Sequence, residues 1–416
     1  MKAHKTTTVA LLALFAVGCA GGDGSWSGSI SDSAGVVMVS NTDHGVWSSS
    51  SQWTLEEELR IGTVEGDQNL MFGTVGMIAV DSEGNLYVMD TQAQRVQVFS
   101  ADGEYMRTIG GPGAGPGELG RGVAFCLMAA GDILTIPDLA NQRINRFSTD
   151  GEVLPSSPLS FDNGIPALFQ ATDDGTIVYQ IRPMPMPGQA TPPDSMDTIL
   201  VLNSDGTPGD TVMRFKSGGT VTMRGGAPRI TIYSPEPAWD VTNDERVLFG
   251  VSDSYRFGIY SNGEPERIIT KPFERQPVTE NDQQAAISFI EQAAIAQGAP
   301  PQALEQLRSI ISFGEYMPAF SAILSGPQET IWVQHIQSAG DLTEEELADF
   351  DIIQDAGAPE WDVFDADGRF LGVVTMPPRF TPRGFHGDRM YGVWRDELDV
   401  QYVTRMRIVG IPGMEG

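Results

Sequence analysis

Most of this chain reads as short apolar runs bounded by turn residues, not as apolar positions at helical spacing. Segments such as Leu86-Tyr-Val-Met89 and Val96-Gln-Val-Phe99 are rich in β-branched and aromatic residues, which suits strands. Two stretches depart from that rhythm. Near the start, Val9 to Val17 is an uninterrupted apolar run following Lys2 and Lys5. Further on, Thr279 with Asp282 forms a capping-box pattern, and Ile287, Ile290 and Ala294 follow at helical spacing. Gln297-Gly298 and Pro300-Pro301 then end one helix and start another, with Leu304, Leu307, Ile310 and Ile311 on one face. The spacing therefore predicts a helical insertion at about 279–313 within an all-β chain.

The strand segments repeat. Asp90 is followed by Arg95, Phe99 and Asp102-Gly103; forty-eight residues later come Asp138, Arg143, Phe147 and Asp150-Gly151 at the same spacings. Leu202 to Gly206 and Phe364 to Gly368 repeat the apolar-x-x-Asp-Gly turn, and Arg256 to Gly263 repeats the Arg-to-aromatic spacing with a shorter turn. Asp388 to Trp394 has the apolar run and no such turn after it. Asp-Gly supplies the positive φ of a tight hairpin. Each unit thus makes about four antiparallel strands, and a sheet apolar on both faces must stack on its neighbours around an axis.

The units fall near 76–110, 121–160, 166–215, 236–271, 318–376 and 382–410. They predict a six-bladed β-propeller over 36–416, with the helical insertion between blades four and five, or seven blades if 36–72 forms most of one. The strands Val36-Val-Met-Val39 and Trp53 to Ile61 are expected to complete the last blade and close the ring. The first two units, through Gly84-Asn-Leu-Tyr-Val-Met-Asp90, Arg95 to Phe99, Asp102-Gly103 and their partners at 131–151, resemble the NHL-repeat family of six-bladed propellers. The resemblance covers roughly 76–155. It implies the fold and no single activity, since that family includes protein-binding modules, RNA-binding modules and enzymes. Related lactonase and peptide-amidating lyase propellers hold Ca²⁺ or Zn²⁺ in the central channel, and no motif in this chain places such ligands.

In a four-stranded blade, the loop after the second strand and the connection to the next blade emerge on one face. The Asp-Gly turns lie on the other. Long insertions at 181–198, 216–235, 272–317 and 336–360 all fall on the first face, which is therefore the expected binding face. The apolar stripe of the helical insertion is expected to pack onto the propeller.

Charge narrows the partners. The chain carries 26 basic and 55 acidic residues, a formal −29, which disfavours nucleic acid. Residues 1–18 read as a signal peptide, too short to span a bilayer. Ala16-Val17-Gly18-Cys19 resembles a bacterial lipobox, an ordinary A-x-G cleavage site being the competing reading. Lipidated Cys19 followed by a Gly/Ser/Asp-rich tether through 35 places the protein in the cell envelope, exported and membrane-anchored. The remaining Cys126 sits in an apolar run and reads as a buried thiol.

Aligning the second strands stacks Asp90, Asp138 and His335, with Trp394 or Arg395 at the corresponding exit, around the channel mouth. The recurrence of Asp90 and Asp138 with Arg95 and Arg143 also fits a repeated turn bracket, whereas His335 breaks the repeat. Arg224, Arg229, Arg275 and Arg383 are placed on the long-loop face, where they suit an anionic ligand or the chain's own acidic loops. His44, His335 and His386 show no local metal-ligand spacing. The acidic segment 341–351 lacks the alternating ligands of an EF-hand loop, and the Gly-rich stretch Gly110 to Gly120 lacks the Lys and following Ser or Thr of a phosphate loop. Gly-x-Ser-x-Gly is absent. The leading expectation is a non-enzymatic binding propeller, needing no cofactor, with a protein or small-molecule partner. The second is a Ca²⁺- or Zn²⁺-dependent hydrolase or lyase acting at the channel.

Overall fold

The computed structural model describes residues 25–121, 128–130, 133–172, 175–183, 195–224, 227–296, 298–343 and 357–412. The proposed signal peptide, Cys19 and Cys126 lie outside these residues, as do most of the loops at 181–198 and 336–360.

Among the described residues the strands form six blade sheets and one separate three-stranded sheet. Blade one runs from Val75–Val80 to Tyr105–Ile109, blade two from Met128–Ala130 to Val153–Pro158, and blade three from Ile165–Ala171 to Pro208–Lys216. Blade four spans Pro237–Val241 to Glu264–Thr270, and blade five Ala322–Ser325 to Phe370–Thr375. Blade six takes three strands from the C-terminal end, Phe380–His386, Arg389–Arg395 and Gln401–Val409, and its fourth from Thr54–Ile61. Neighbouring blades touch through their first strands, which therefore surround the axis. Asp388 to Trp394 proves to span the second strand, so the turn after it is a second-to-third one; the Asp-Gly turn that follows the third strand elsewhere has no counterpart because the fourth strand of blade six comes from the other end of the chain.

The core is divided by the ring. Six clusters of buried apolar residues each straddle one seam between adjacent blades. The seam joining blade six to blade one contains Ile61, Tyr391, Val393 and Val403 from one side, and Val75, Leu86, Val88 and Phe99 from the other. The ring is closed by the same kind of packing that joins consecutive blades.

The N-terminal strands correct one expectation. Val36–Ser40 does not join blade six; it pairs in parallel with Glu264–Thr270, the outer strand of blade four. Ser29–Ser33 pairs back onto it, so the expected flexible tether ends before residue 29 rather than at 35. Both outcomes have one cause: a strand pattern specifies pairing capacity and not the partner. Residues 41–53 then cross the outside of blade five, with Val46 and Trp47 N–H bonding the Phe370 and Leu371 carbonyls. Trp47 and Trp53 pack against each other, and Trp53 against Trp332 of blade five. The N-terminal segment is a belt around three blades.

The Asp-Gly turns do more than reverse the chain. Gly103 and Gly368 have φ of +85° and +81°, and a Cβ there would lie 2.7 Å from Leu59 and 2.6 Å from Ile269, each on the preceding blade. An arginine of the preceding blade also clasps each of four such turns. Arg405 donates to the Ala101 carbonyl at 2.8 Å and Arg146 to that of Ser204 at 2.8 Å. Arg107 donates to Thr149 and Arg267 to Ala366. Glycine is needed both for its backbone angle and for the close approach of the next sheet. Gly368→Ala is accordingly expected to destabilise by about 2–4 kcal/mol, adding left-handed strain to overpacking. Gly384→Ala, with no atom within 4 Å, is expected to cost under about 1 kcal/mol. Urea midpoints of the two variants compared with the parent check this.

Candidate binding face

Three of the long insertions assemble over one face. The connection from blade three to blade four forms a hairpin, Val221–Arg224 with Ala227–Ile232. The connection from blade four to blade five carries helices α1 (Glu280–Ala296) and α2 (Pro301–Ile310), then the strand Ile311–Phe313. That strand pairs in parallel with the hairpin, Ile230 opposite Ile311 and Ile232 opposite Phe313. Arg229 donates to the Ser309 carbonyl at 2.9 Å, tying the hairpin to the end of α2.

Asp282 fastens the third insertion. Its carboxylate is fully buried. One oxygen accepts from the Thr279 backbone N–H at 2.8 Å and hydroxyl at 2.6 Å, while the Asp282 N–H returns to Thr279 Oγ1 at 3.2 Å. The other oxygen accepts from Ser338 Oγ at 2.8 Å and Gly340 N–H at 3.0 Å, in the second-to-third-strand loop of blade five. These bonds hold its carboxyl below the ordinary carboxylate value although burial opposes them. One residue thus caps α1 and docks a separate loop. Tyr233, at the end of the hairpin, is buried with φ +59° and a hydroxyl that has no hydrogen-bond partner among the described residues; burial and the Asp282 charge push that phenol up.

The stripe on α2 is less covered than expected. Leu304, Leu307 and Ile310 are half-buried, and no residue of α2 is buried. The reason is its support: α2 packs on α1 and the hairpin rather than on a blade.

Asp90 and Asp138 turn inward. Asp90 accepts from the N–H groups of Gly73, Thr74 and Ala93 at 3.0–3.2 Å. Asp138 accepts from Gly120 N–H at 2.9 Å, Asn141 N–H at 3.0 Å and Asn141 Nδ2 at 2.7 Å. Arg95 donates to the Gln68 and Met71 carbonyls, and Arg143 to those of Ala114, Gly115 and Glu118. Each Asp-Arg pair therefore brackets its own turn to the incoming blade connection. With both carboxylates almost wholly buried, the ligand role considered for Asp90 and Asp138 gives way to the bracket role.

His335 sits in a different setting, at the seam of blades four and five. Its Nε2 lies 2.9 Å from Asp362 Oδ1, and the imidazole is 35% exposed. Lys271 Nζ is 2.6 Å from Asp362 Oδ2, and the Tyr255 hydroxyl donates to that same oxygen. Lys271 also lies 4.1 Å from the centre of the Phe370 ring. Burial raises the Asp362 carboxyl, yet the His335 contact and the Lys271 charge outweigh it and hold the group below its ordinary value. Burial and the Asp362 charge push the Tyr255 phenol well up. Sequence reasoning picked out His335 and missed its three partners. The available signal was a lone carboxylate inside the apolar run Trp361 to Phe364.

The other expected site residues are dispersed. Trp394 packs at a tilt against Tyr402 and carries the Arg60 guanidinium 3.7 Å above its ring. Arg395 is 3.4 Å from Asp399 in its own turn. Arg275 lies 4.2 Å over the Tyr316 ring. Arg383 belongs to the first strand of blade six, beside the axis, and not to a long loop. Arg224 ends its strand, its side chain lying outside what is described. His44 lies in the belt and His386 ends the first strand of blade six, so the histidines do not converge on His335. Among the described residues no group of three or more His, Cys, Asp or Glu side chains is placed to hold a metal ion. The donors among the described residues do not fit the Ca²⁺ or Zn²⁺ of the enzyme reading. On the first strand of blade four, Asp240 accepts from Ser325 N–H at 2.7 Å and Val241 N–H at 2.9 Å, and burial pushes its carboxyl up to about 6.

Fold and face together define a six-bladed β-propeller with an elaborated long-loop face. Residues 63–225, spanning the first three blades, match the model of the DUF5128 family, described as a 6-bladed beta-propeller. No curated protein matches the chain. Among solved structures, a Bacteroides fragilis NCTC 9343 protein described as exported is 14% identical, over 89% of this chain and 99% of that one, with a TM-score of 0.50. Virginiamycin B lyase from Staphylococcus aureus is 14% identical over 86% of this chain and 99% of its own, with a TM-score of 0.42. A gluconolactonase from Xanthomonas campestris is 12% identical over 85% and 98%, with a TM-score of 0.39. The family description agrees with the six-bladed architecture and with the NHL-like resemblance of the first two blades.

Asp362→Asn leaves the largely covered Lys271 without its counter-charge and is expected to destabilise by about 3 kcal/mol at neutral pH. The folded Asp362 carboxyl takes up its proton less readily than the unfolded one. Its contribution is therefore full above the ordinary value of 3.8 and is lost as acid takes the pH below that value. The gap between parent and variant should narrow from pH 7 toward about pH 3 in urea titrations.

Proposed function

We propose that this protein is an envelope-anchored binding propeller whose partner, a protein or small molecule, docks on the long-loop face. One observation carries the reading. Three insertions, from two blade connections and a second-to-third-strand loop, are fastened to one another by the Ile230–Ile311 pairing and by Asp282. Loops that merely drift in length have no reason to share a sheet and a buried carboxylate. The opposite face is built of tight Asp-Gly turns already engaged by neighbouring blades.

Export and anchoring rest on the Lys2–Val17 segment, the lipobox-like Ala16 to Cys19 and the tether after it. No helix among the described residues is long and apolar enough to cross a membrane, so attachment in this reading runs through the Cys19 lipid. The chain's −29 charge fits a partner other than nucleic acid.

Two experiments test the proposal. Metabolic acyl labelling should mark the parent and not Cys19→Ser, which should leave the membrane fraction. Photo-crosslinking residues introduced singly at exposed Val221 and Ile295 on the insertions, and at Asp102 and Val153 on the short-turn side, test the face. In intact envelopes the first pair is expected to give discrete adducts and the second none. Equal labelling from both faces, or adducts from the short-turn side alone, would overturn the assignment.

A further inference from the structure

A cavity of about 550 Å³ opens on the long-loop face over blades one and two, with no residue of the fastened insertions in its described lining. Its walls are the two repeated second-to-third-strand turns, through Gln92, Ala93, Gln94, Ala140 and Asn141, and the connection between those blades, through Pro112 to Ala114, Gly120 and Arg121. Gln92 and Ala140 occupy equivalent places, each two residues beyond a bracket aspartate. The brackets make the walls rigid. Asp90 holds the Ala93 N–H, Asp138 holds those of Gly120 and Asn141, and Arg143 holds the Ala114 carbonyl. The cavity is thus formed before any ligand arrives, which lowers the cost of binding.

Its chemistry differs from the rest of the surface. The chain has 55 acidic residues, yet none of the described residues lining the cavity carries a carboxylate. The one charged lining side chain is Arg121, which is exposed and has no ion-pair partner among the described residues. An unpaired guanidinium in a carboxylate-free recess selects an oxyanion, and it can hold a carboxylate with two parallel bonds. Gln92, Gln94 and Asn141 add amides, which both donate and accept and so match hydroxyl groups. Asn141 spends its Nδ2 on Asp138 and the Gly113 carbonyl, leaving Oδ1 as an acceptor. Among the described lining residues there is no aromatic ring for a flat apolar ligand to stack on.

We propose that this cavity binds a small hydroxylated carboxylate of the sugar-acid class, with Arg121 taking the carboxylate and the three amides the hydroxyls. The site shares the long-loop face and lies outside the fastened insertions, so it stands or falls separately from the docking reading above.

The test titrates purified full-length protein in detergent with D-glucuronate, D-glucose and inorganic phosphate, followed by calorimetry and by saturation-transfer NMR. Glucuronate should bind saturably and more tightly than either of the others. Arg121→Gln should weaken it by about tenfold or more, the expected scale for a charge-assisted contact. Arg121→Lys should retain part of the affinity. Arg214→Gln removes an exposed arginine of the outer strand of blade three that likewise has no ion-pair partner among the described residues, and should leave binding unchanged. Glucose binding as well as glucuronate, phosphate binding better than glucuronate, or no saturable glucuronate binding would each overturn the proposal. Equal losses from the Arg121 and Arg214 variants would overturn it too, by reducing the effect to net charge.

Discussion

A blade of this protein is apolar on both faces, and everything else follows from the need to cover both at once. No single blade can do so, and no open stack can do so at its ends. The solution is six seams, each with its own buried cluster, arranged in a closed ring. The last seam is the one the chain must reach furthest to make, and Thr54–Ile61 makes it by lending blade six its outer strand. The belt that leads to this strand then covers the edges of blades four and five.

The repeated residues and the departures from the repeat do different work. Asp90, Arg95, Asp138, Arg143 and the Asp-Gly turns are spent on the scaffold: the first four on the incoming blade connections, the glycines on close contact with the preceding blade. Because these duties consume their polar atoms, repetition marks structure. The departures cluster in blades three to five. There the connections lengthen, Asp282 knits two of them together, and the equivalent of the bracket becomes His335 with Asp362, Lys271 and Tyr255. The cavity over blades one and two is an intermediate case, with walls set by the brackets and a lining set by residues that vary between the two turns.

Much of the architecture was legible in advance because its signals are local. Strand runs, Asp-Gly spacing and the Thr279–Asp282 cap are all readable within one unit, and the closing role of Trp53 to Ile61 followed from counting strands. What could not be read is long-range. Nothing within Val36-Val-Met-Val39 distinguishes an edge of blade four from an edge of blade six. Asp362 lies 91 residues from Lys271 and 107 from Tyr255, so no spacing rule unites them. Ser29–Ser33 was read as tether because the stretch to residue 35 is small, polar and almost without apolar content, and it is a strand only through the neighbour it finds. Aligning Asp90 with His335 was correct in register, while their different partners could be learned only from the folded chain.

The pairing of Ile61 with Val403 has a kinetic consequence. Joining segments more than three hundred residues apart costs about 5 kcal/mol of loop-closure entropy. That cost falls due before the terminal seam is buried, so a ring lacking its final sheet gains nothing from an early latch. The molecule is therefore committed to late, cooperative annealing: an emerging polypeptide can build blades one to five in turn, but its native topology locks only after the distal end has been made.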